Sequence, residues 1–253
     1  MTLNIYFLST FDFASGSSHD EQQVGNLWSG ENLLSVALSG EIRYLDKNTG
    51  KVSRGIHGHS KATTSLTSTR DDTLFTGSYD GRVCAWPYGT EQDRTLPQPM
   101  KGDQHTNQIT SMVAQGDSLF SAGMDDVVRI AKTTDHSYTG SSVSVGALPK
   151  TVSVSNDDIL VVSTTANVQI YDKQQKKIGQ VDALGFTPTA AGINANGKFI
   201  VVGGEVSYIS TCGGLGCVVK QTLSRIKLSS EAVWSPQCTD ITCLGWKIKS
   251  LQA

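Results

Sequence analysis

The chain has few charged residues: Asp, Glu, Lys and Arg fill 17% of its 253 positions, where about 25% is usual. Long amphipathic helices and coiled coils draw on those residues, so their scarcity argues against both. Apolar runs are short, and none approaches the ~18 residues that cross a bilayer. Met1–Leu8 is mildly apolar but has no Lys or Arg before it, so it lacks the basic start of a secretory signal. We therefore expect an intracellular chain with no membrane partner. A dominant sign of charge is also missing. The 21 basic and 23 acidic residues leave a net −2, which provides no electrostatic case for DNA or RNA.

What is abundant is Ser and Thr, 54 residues together, with 25 glycines. That composition favours short strands and tight turns. It is uneven along the chain. Residues 1–205 carry a net charge of −5 and 206–253 a net +3, and four of the five cysteines lie at 212 and beyond.

A repeat organises the first part. Val36–Leu45, Thr76–Trp86, Ser121–Ala131 and Val162–Tyr171 align on their last residues, which are 41, 45 and 40 apart. A period of ~40–45 residues is that of a four-stranded propeller blade. Within each unit an alternating segment such as Ile109–Val113 leads through a polar turn to a second run, Ser118–Ala122. A turn and a third run, Val127–Ile130, follow. These are strands a, b and c, with a variable strand d that takes insertions such as 87–100.

Two units carry a histidine at a repeated offset from a turn aspartate: His59 before Asp80, and His105 before Asp125. A buried imidazole needs partners, and a turn aspartate can supply one. A strand-b hydroxyl, Ser78 or Thr76, and the indole of Trp86 could extend the chain of bonds. At this point the sequence resembles the WD-repeat family, whose blades use such a network. The resemblance implies a structural network of His59, Ser78, Asp80 and Trp86, and of His105 and Asp125. Ala131 stands where a Trp belongs, and units one and four have Ser39 and Thr165 in the Asp slot.

The strings Asp20–Trp28, Leu33–Gly40, Gly58–Lys61, His105–Ile109 and Met124–Arg129 resemble the second propeller of the actin-interacting protein 1 family. The resemblance runs from about residue 18 to 205. It implies an actin-binding WD-repeat protein that promotes cofilin-dependent actin filament disassembly, with actin filaments and cofilin as partners in the cytoplasm at the actin cytoskeleton. A generic WD-repeat interaction scaffold is the alternative. In the wider family the residue before the turn Asp and those after the loop His often point to the ring face, which implicates Lys61, Tyr79, Asn107 and Met124 in protein binding.

The expected fold is all-β, an incomplete WD-repeat β-propeller of four blades plus the first hairpin of a fifth. Residues 1–17 form an N-terminal extension, a candidate outer strand, residues 18–205 the partial propeller, and 206–253 a non-repeat tail. The repeat stops at Val206-Ser207, a dipeptide that GTAAGT, a splice-donor sequence, can encode. A disordered tail or one from aberrant splicing is expected. The rival is a zinc site built from Cys212, Cys217, Cys238 and Cys243, whose C-x4-C pairs are looser than the usual two-residue loop. Disulfides are disfavoured in a reducing cytosol.

No set of residues reads as catalytic, and no cofactor is expected. His59 with Asp80 and Ser78 resembles a triad only superficially, because the repeat offset explains the same residues. His57 and His136 read as surface residues, Cys84 as a small core residue, and the Asp pairs at 71–72 and 157–158 as solvated turns. Gly213–Gly216 precedes no Lys-Ser/Thr and so is no phosphate loop.

Overall fold

The computed structural model describes residues 22–204 apart from 30–31, 47, 50, 71–72, 87–96 and 183, together with the backbone of four later strands. The expected N-terminal extension, 1–17, lies outside the described residues. Among the described residues every regular element is a strand. The described chain falls into two compact units, one ending at Val152 and the other beginning at Ser153.

The first unit holds three antiparallel four-stranded meanders. They are β1 (Gln23–Ser29) to β4 (Lys51–Ile56), through β2 (Asn32–Ala37) and β3 (Ile42–Asp46); β5 (Thr63–Ser68) to β8 (Gln98–Pro99), through β6 (Leu74–Ser78) and β7 (Val83–Trp86); and β9 (Ile109–Gln115) to β12 (Ser137–Ser144), through β10 (Ser118–Gly123) and β11 (Val127–Lys132). The seam falls inside β13 (Pro149–Val154). The second unit continues with β14 (Leu160–Thr164), β15 (Val168–Tyr171) and β16 (Lys177–Val181), in the order β13-β14-β15-β16. A fifth meander follows, of β17 (Pro188–Ile193), β18 (Phe199–Gly204), β19 (Tyr208–Gly213) and β20 (Gly216–Thr222), then the hairpin β21 (Ile241–Cys243) and β22 (Trp246–Ile248). The sequence led us to expect only the first hairpin of this fifth sheet. Instead β19 pairs along the free side of β18, with Ile200 opposite Cys212 and Val202 opposite Ser210. The sequence before β19, Glu205-Val206-Ser207, carries no Asp mark, so the motif-based reading stopped there.

Burial follows position in each meander. Strands b are covered on both faces, as all five residues of β6 and of β14 are buried. They accordingly read as continuous apolar or small runs. Strands d face solvent, and five of the six residues of β4 are exposed. The cores lie between consecutive sheets. Phe75, Val83, Ile109, Met112 and Leu119 join the second and third, and Val161, Val168, Ile193 and Val202 join the fourth and fifth. Each large side chain so buried contributes roughly 1.5–3 kcal/mol.

A repeated hydrogen bond aligns the a strands and gives the Ser and Thr content a role. Thr67 Oγ1 accepts from Ala114 N at 3.1 Å, and Ser111 Oγ from Val152 N at 3.2 Å. In the second unit Ser153 Oγ accepts from Ile193 N at 3.1 Å. A strand-a hydroxyl thus takes the amide of the next strand a.

Candidate functional site

The second and third sheets place their marked residues at one set of loops. In the second, the indole Nε1–H of Trp86 donates to Thr76 Oγ1 at 2.8 Å. His59 Nε2 lies 2.6 Å from the same hydroxyl, and its Nδ1 lies 3.4 Å from Asp80 Oδ2. A neutral imidazole has one donor and one acceptor. The carboxylate fixes the proton on Nδ1, so Nε2 accepts from Thr76. The relay runs Trp86 to Thr76 to His59 to Asp80.

Ser78 lies outside this relay. Its hydroxyl donates toward the Lys61 and Ala62 carbonyls at 3.1 and 2.8 Å and accepts from Asp80 N at 3.2 Å. It therefore fastens the b–c turn to the preceding loop. Gly58 is small because Trp86 covers it, and a Cβ there would lie 2.8 Å from Trp86 Cζ2.

In the third sheet His105 Nδ1 donates to Asp125 Oδ1 at 2.8 Å, and Nε2 accepts from Ser121 Oγ at 2.9 Å. Ala131 leaves the indole position empty of aromatic bulk. Tyr138, opposite Ala131 on the next strand, supplies it, with its ring edge-on to His105 at 6.4 Å and 80°. Burial pushes the Tyr138 phenol up to about 12. Sequence reasoning missed this residue because strand d carries no repeated mark.

Burial pushes both imidazoles below their ordinary value, against an opposing pull from Asp80 and Asp125. Burial also works to raise the Asp80 carboxyl. The amides of Arg82 and Ser60, the Ser60 hydroxyl and the His59 ring together hold it below the usual range. The Cys84 thiol, 3.9 Å from His59 Nδ1, is pushed up to about 11 by burial first and Asp80 second. With ring nitrogens, hydroxyls and carboxylates engaged by one another, these side chains tie the turns to the strands.

Different ties stand in the first and fourth sheets. Ser35 Oγ, ten residues before Leu45 as Thr76 is before Trp86, donates to Gln23 Oε1 at 2.5 Å. In the fourth sheet Tyr171 Oη donates to Gln169 Oε1 at 2.5 Å, and Gln169 Nε2 donates to Asn167 Oδ1 at 3.0 Å.

These ties hold a face. The Leu38, Tyr79 and Met124 amides donate to the Gln22, Ala62 and Gln108 carbonyls at 2.7, 3.0 and 2.8 Å, so each b–c turn is bound to the loop before its own strand a. Gly81, at φ +78°, packs under the next loop, and a Cβ there would lie 2.7 Å from His105 O and 2.9 Å from Asn107 O. The b–c turn of the second sheet and the loop entering the third are therefore in contact. Tyr79 is 47% exposed and Met124 36%. Lys61 and Asn107 are exposed beside them. A cavity of about 300 Å³ lies between the same loops, lined by Asp80, Arg82, Pro99, Gln104 and His105.

The remaining candidates are dispersed. His57 is exposed, and the partly exposed His136 packs edge-on against Phe75 at 5.8 Å. Cys84 is buried, and Asp157 and Asp158 are exposed. Asp71 and Asp72 lie outside the described residues, as does Cys238. Cys212 and Cys217 stand opposite each other in the β19–β20 ladder, and Cys243 stands opposite Trp246. Among the described residues no group of three or more His, Cys, Asp or Glu side chains could hold a metal ion, and no helix is long and apolar enough to cross a membrane.

No family model matches the chain. The solved structure of U3-55K is similar over 84% of this chain and 63% of its own, with a TM-score of 0.65 at 13% identity, a likeness that shows the fold. WD repeat-containing protein 1-B of Xenopus laevis is 36% identical over 198 residues, 76% of this chain and 32% of that protein. Actin-interacting protein 1 of Drosophila melanogaster is 31% identical over 230 residues, 89% of this chain and 37% of that protein. Wherever it begins, an aligned span of 89% runs past residue 220 and so takes in β19 and β20. The chain spans about a third of the length of these curated relatives. With its repeated sheets and these matches, the chain belongs to the WD-repeat family of actin-interacting protein 1 and WD repeat-containing protein 1.

Proposed function

We propose that the chain acts by binding rather than catalysis, as part of a protein that engages actin filaments and promotes their cofilin-dependent disassembly at the cytoplasmic actin cytoskeleton. The observation that carries this reading is the kinship with actin-interacting protein 1 of Drosophila melanogaster over 89% of the chain. The face built from the b–c turns and entry loops of the second and third sheets supports it. There a rigid scaffold displays Tyr79 and Met124, types enriched at protein interfaces, flanked by Lys61 and Asn107. Binding energy directed at one state of the filament shifts its population toward that state without any chemical step.

Cosedimentation with actin filaments, with and without cofilin, tests the reading. More chain is expected in the pellet when cofilin decorates the filaments. Binding that is absent or indifferent to cofilin would favour a WD-repeat scaffold with another partner.

A further inference from the structure

Cys212, Cys217 and Cys243 lie on described strands of the C-terminal region. The backbone sets the first two apart from the third. Cys212 on β19 and Cys217 on β20 occupy one rung of an antiparallel ladder, one step in from the last pair, Gly213 opposite Gly216. Cys243 lies on β21, a strand that packs on β17, the strand at the other end of the fifth sheet's order.

Directly opposed residues in an antiparallel ladder have Cα atoms about 4.5 or 5.5 Å apart, depending on which kind of rung they occupy. A disulfide needs a Cα separation of about 4.4–6.8 Å. Both kinds of rung fall within that window. The register alone therefore brings this pair within bonding reach, whichever rung it is. A C-x4-C segment in an unfolded chain samples many separations, and only the hairpin holds it at one.

We propose that Cys212 and Cys217 form a redox-active dithiol that closes to a cross-strand disulfide in the folded chain. The oxidant is a low-molecular-weight disulfide. The thiolate of one cysteine attacks it, forming a mixed disulfide and releasing one thiolate. The second cysteine, as thiolate, attacks the mixed disulfide sulfur, forming the Cys212–Cys217 bond and releasing the other thiolate. Two electrons pass to the oxidant, and the two cysteine protons are taken up by its two thiolates. The closed bond ties β19 to β20 at the outer edge of the fifth sheet.

The test is equilibration of the full chain in glutathione redox buffers, followed by acid quench, alkylation and peptide mapping. It is run under native conditions and in 6 M guanidinium chloride (about full denaturation for a domain of ordinary stability). The expected disulfide links Cys212 to Cys217, with an equilibrium constant at least about tenfold larger in the native chain, because the ladder preorganises the pair. A native advantage below tenfold overturns the proposal, as does a native linkage of Cys212 to Cys238 or Cys243. Zinc is the other arm. One zinc per chain that protects all four cysteines from alkylation until it is chelated also overturns it. A Cys238→Ser, Cys243→Ser variant is expected to keep the native advantage unchanged.

Discussion

Tyr138 on β12 stands directly opposite Ala131 on β11, and its ring meets the edge of His105 where the second sheet uses Trp86. One aromatic position is thus filled from strand c in one blade and from strand d in the next. Truncation should expose the equivalence. Tyr138→Ala is expected to cost about 3 kcal/mol, the scale of an aromatic deletion in a core. Tyr138→Phe should stay within about 1 kcal/mol, because it keeps the ring. Urea unfolding at neutral pH measures both.

Thr76 and Ser78 separate by role. Thr76→Val leaves the Trp86 indole N–H and His59 Nε2 without their shared hydroxyl, an expected loss of about 2 kcal/mol. Ser78→Ala removes the ties to the Lys61 and Ala62 carbonyls and leaves the bonds of Trp86, Thr76 and His59 in place. A readout specific to the relay distinguishes them: the His59 titration, followed by NMR, should move in Thr76→Val and hold in Ser78→Ala.

Acid should weaken the fold in two stages. His59 and His105 have folded values below the ordinary 6.5. The unfolded chain therefore binds more protons as the pH falls through 6.5, and stability drops with it. Asp80 is also held below its ordinary 3.8, so its contribution persists to lower pH and is lost only as the pH falls through that value. Urea midpoints at pH 7, 6 and 5 should fall in the wild-type chain. The slope should be shallower in a His59→Gln, His105→Gln variant.

Removing residues 206–253 should uncover the edge of β18, which β19 now pairs. Unpaired edge groups recruit other chains, so the shortened chain is expected to self-associate with rising concentration and to unfold at lower urea. Sedimentation velocity reads the first effect. A truncated chain as monomeric and as stable as the full one would mean that the tail takes no part in the sheet.

The repeat was legible because a blade spaces its turns and apolar runs at a fixed interval, and His59, Asp80, His105 and Asp125 fall at matching offsets. What was hidden has physical causes. Thr76 and Ser78 are two apart on one strand and share a face, so periodicity could not choose between them. Tyr138 reaches its place through cross-strand register, which no local pattern records. The amide ties of Gln23, Asn167 and Gln169 use residue types outside the His–Asp motif. The division at Val152 has no signature, because the sequence repeat keeps the same period on either side of it.

We propose that the face carrying Tyr79 and Met124 binds cofilin-decorated actin. The direct measurement is the dissociation constant of a Tyr79→Ala, Met124→Ala chain for such filaments by cosedimentation, beside the wild-type chain. Both side chains are exposed, so the urea midpoint should be unchanged. Affinity is expected to fall at least about tenfold, or about 1.4 kcal/mol, as loss of two anchor residues at an interface implies. Equal affinity in the two chains would contradict the account.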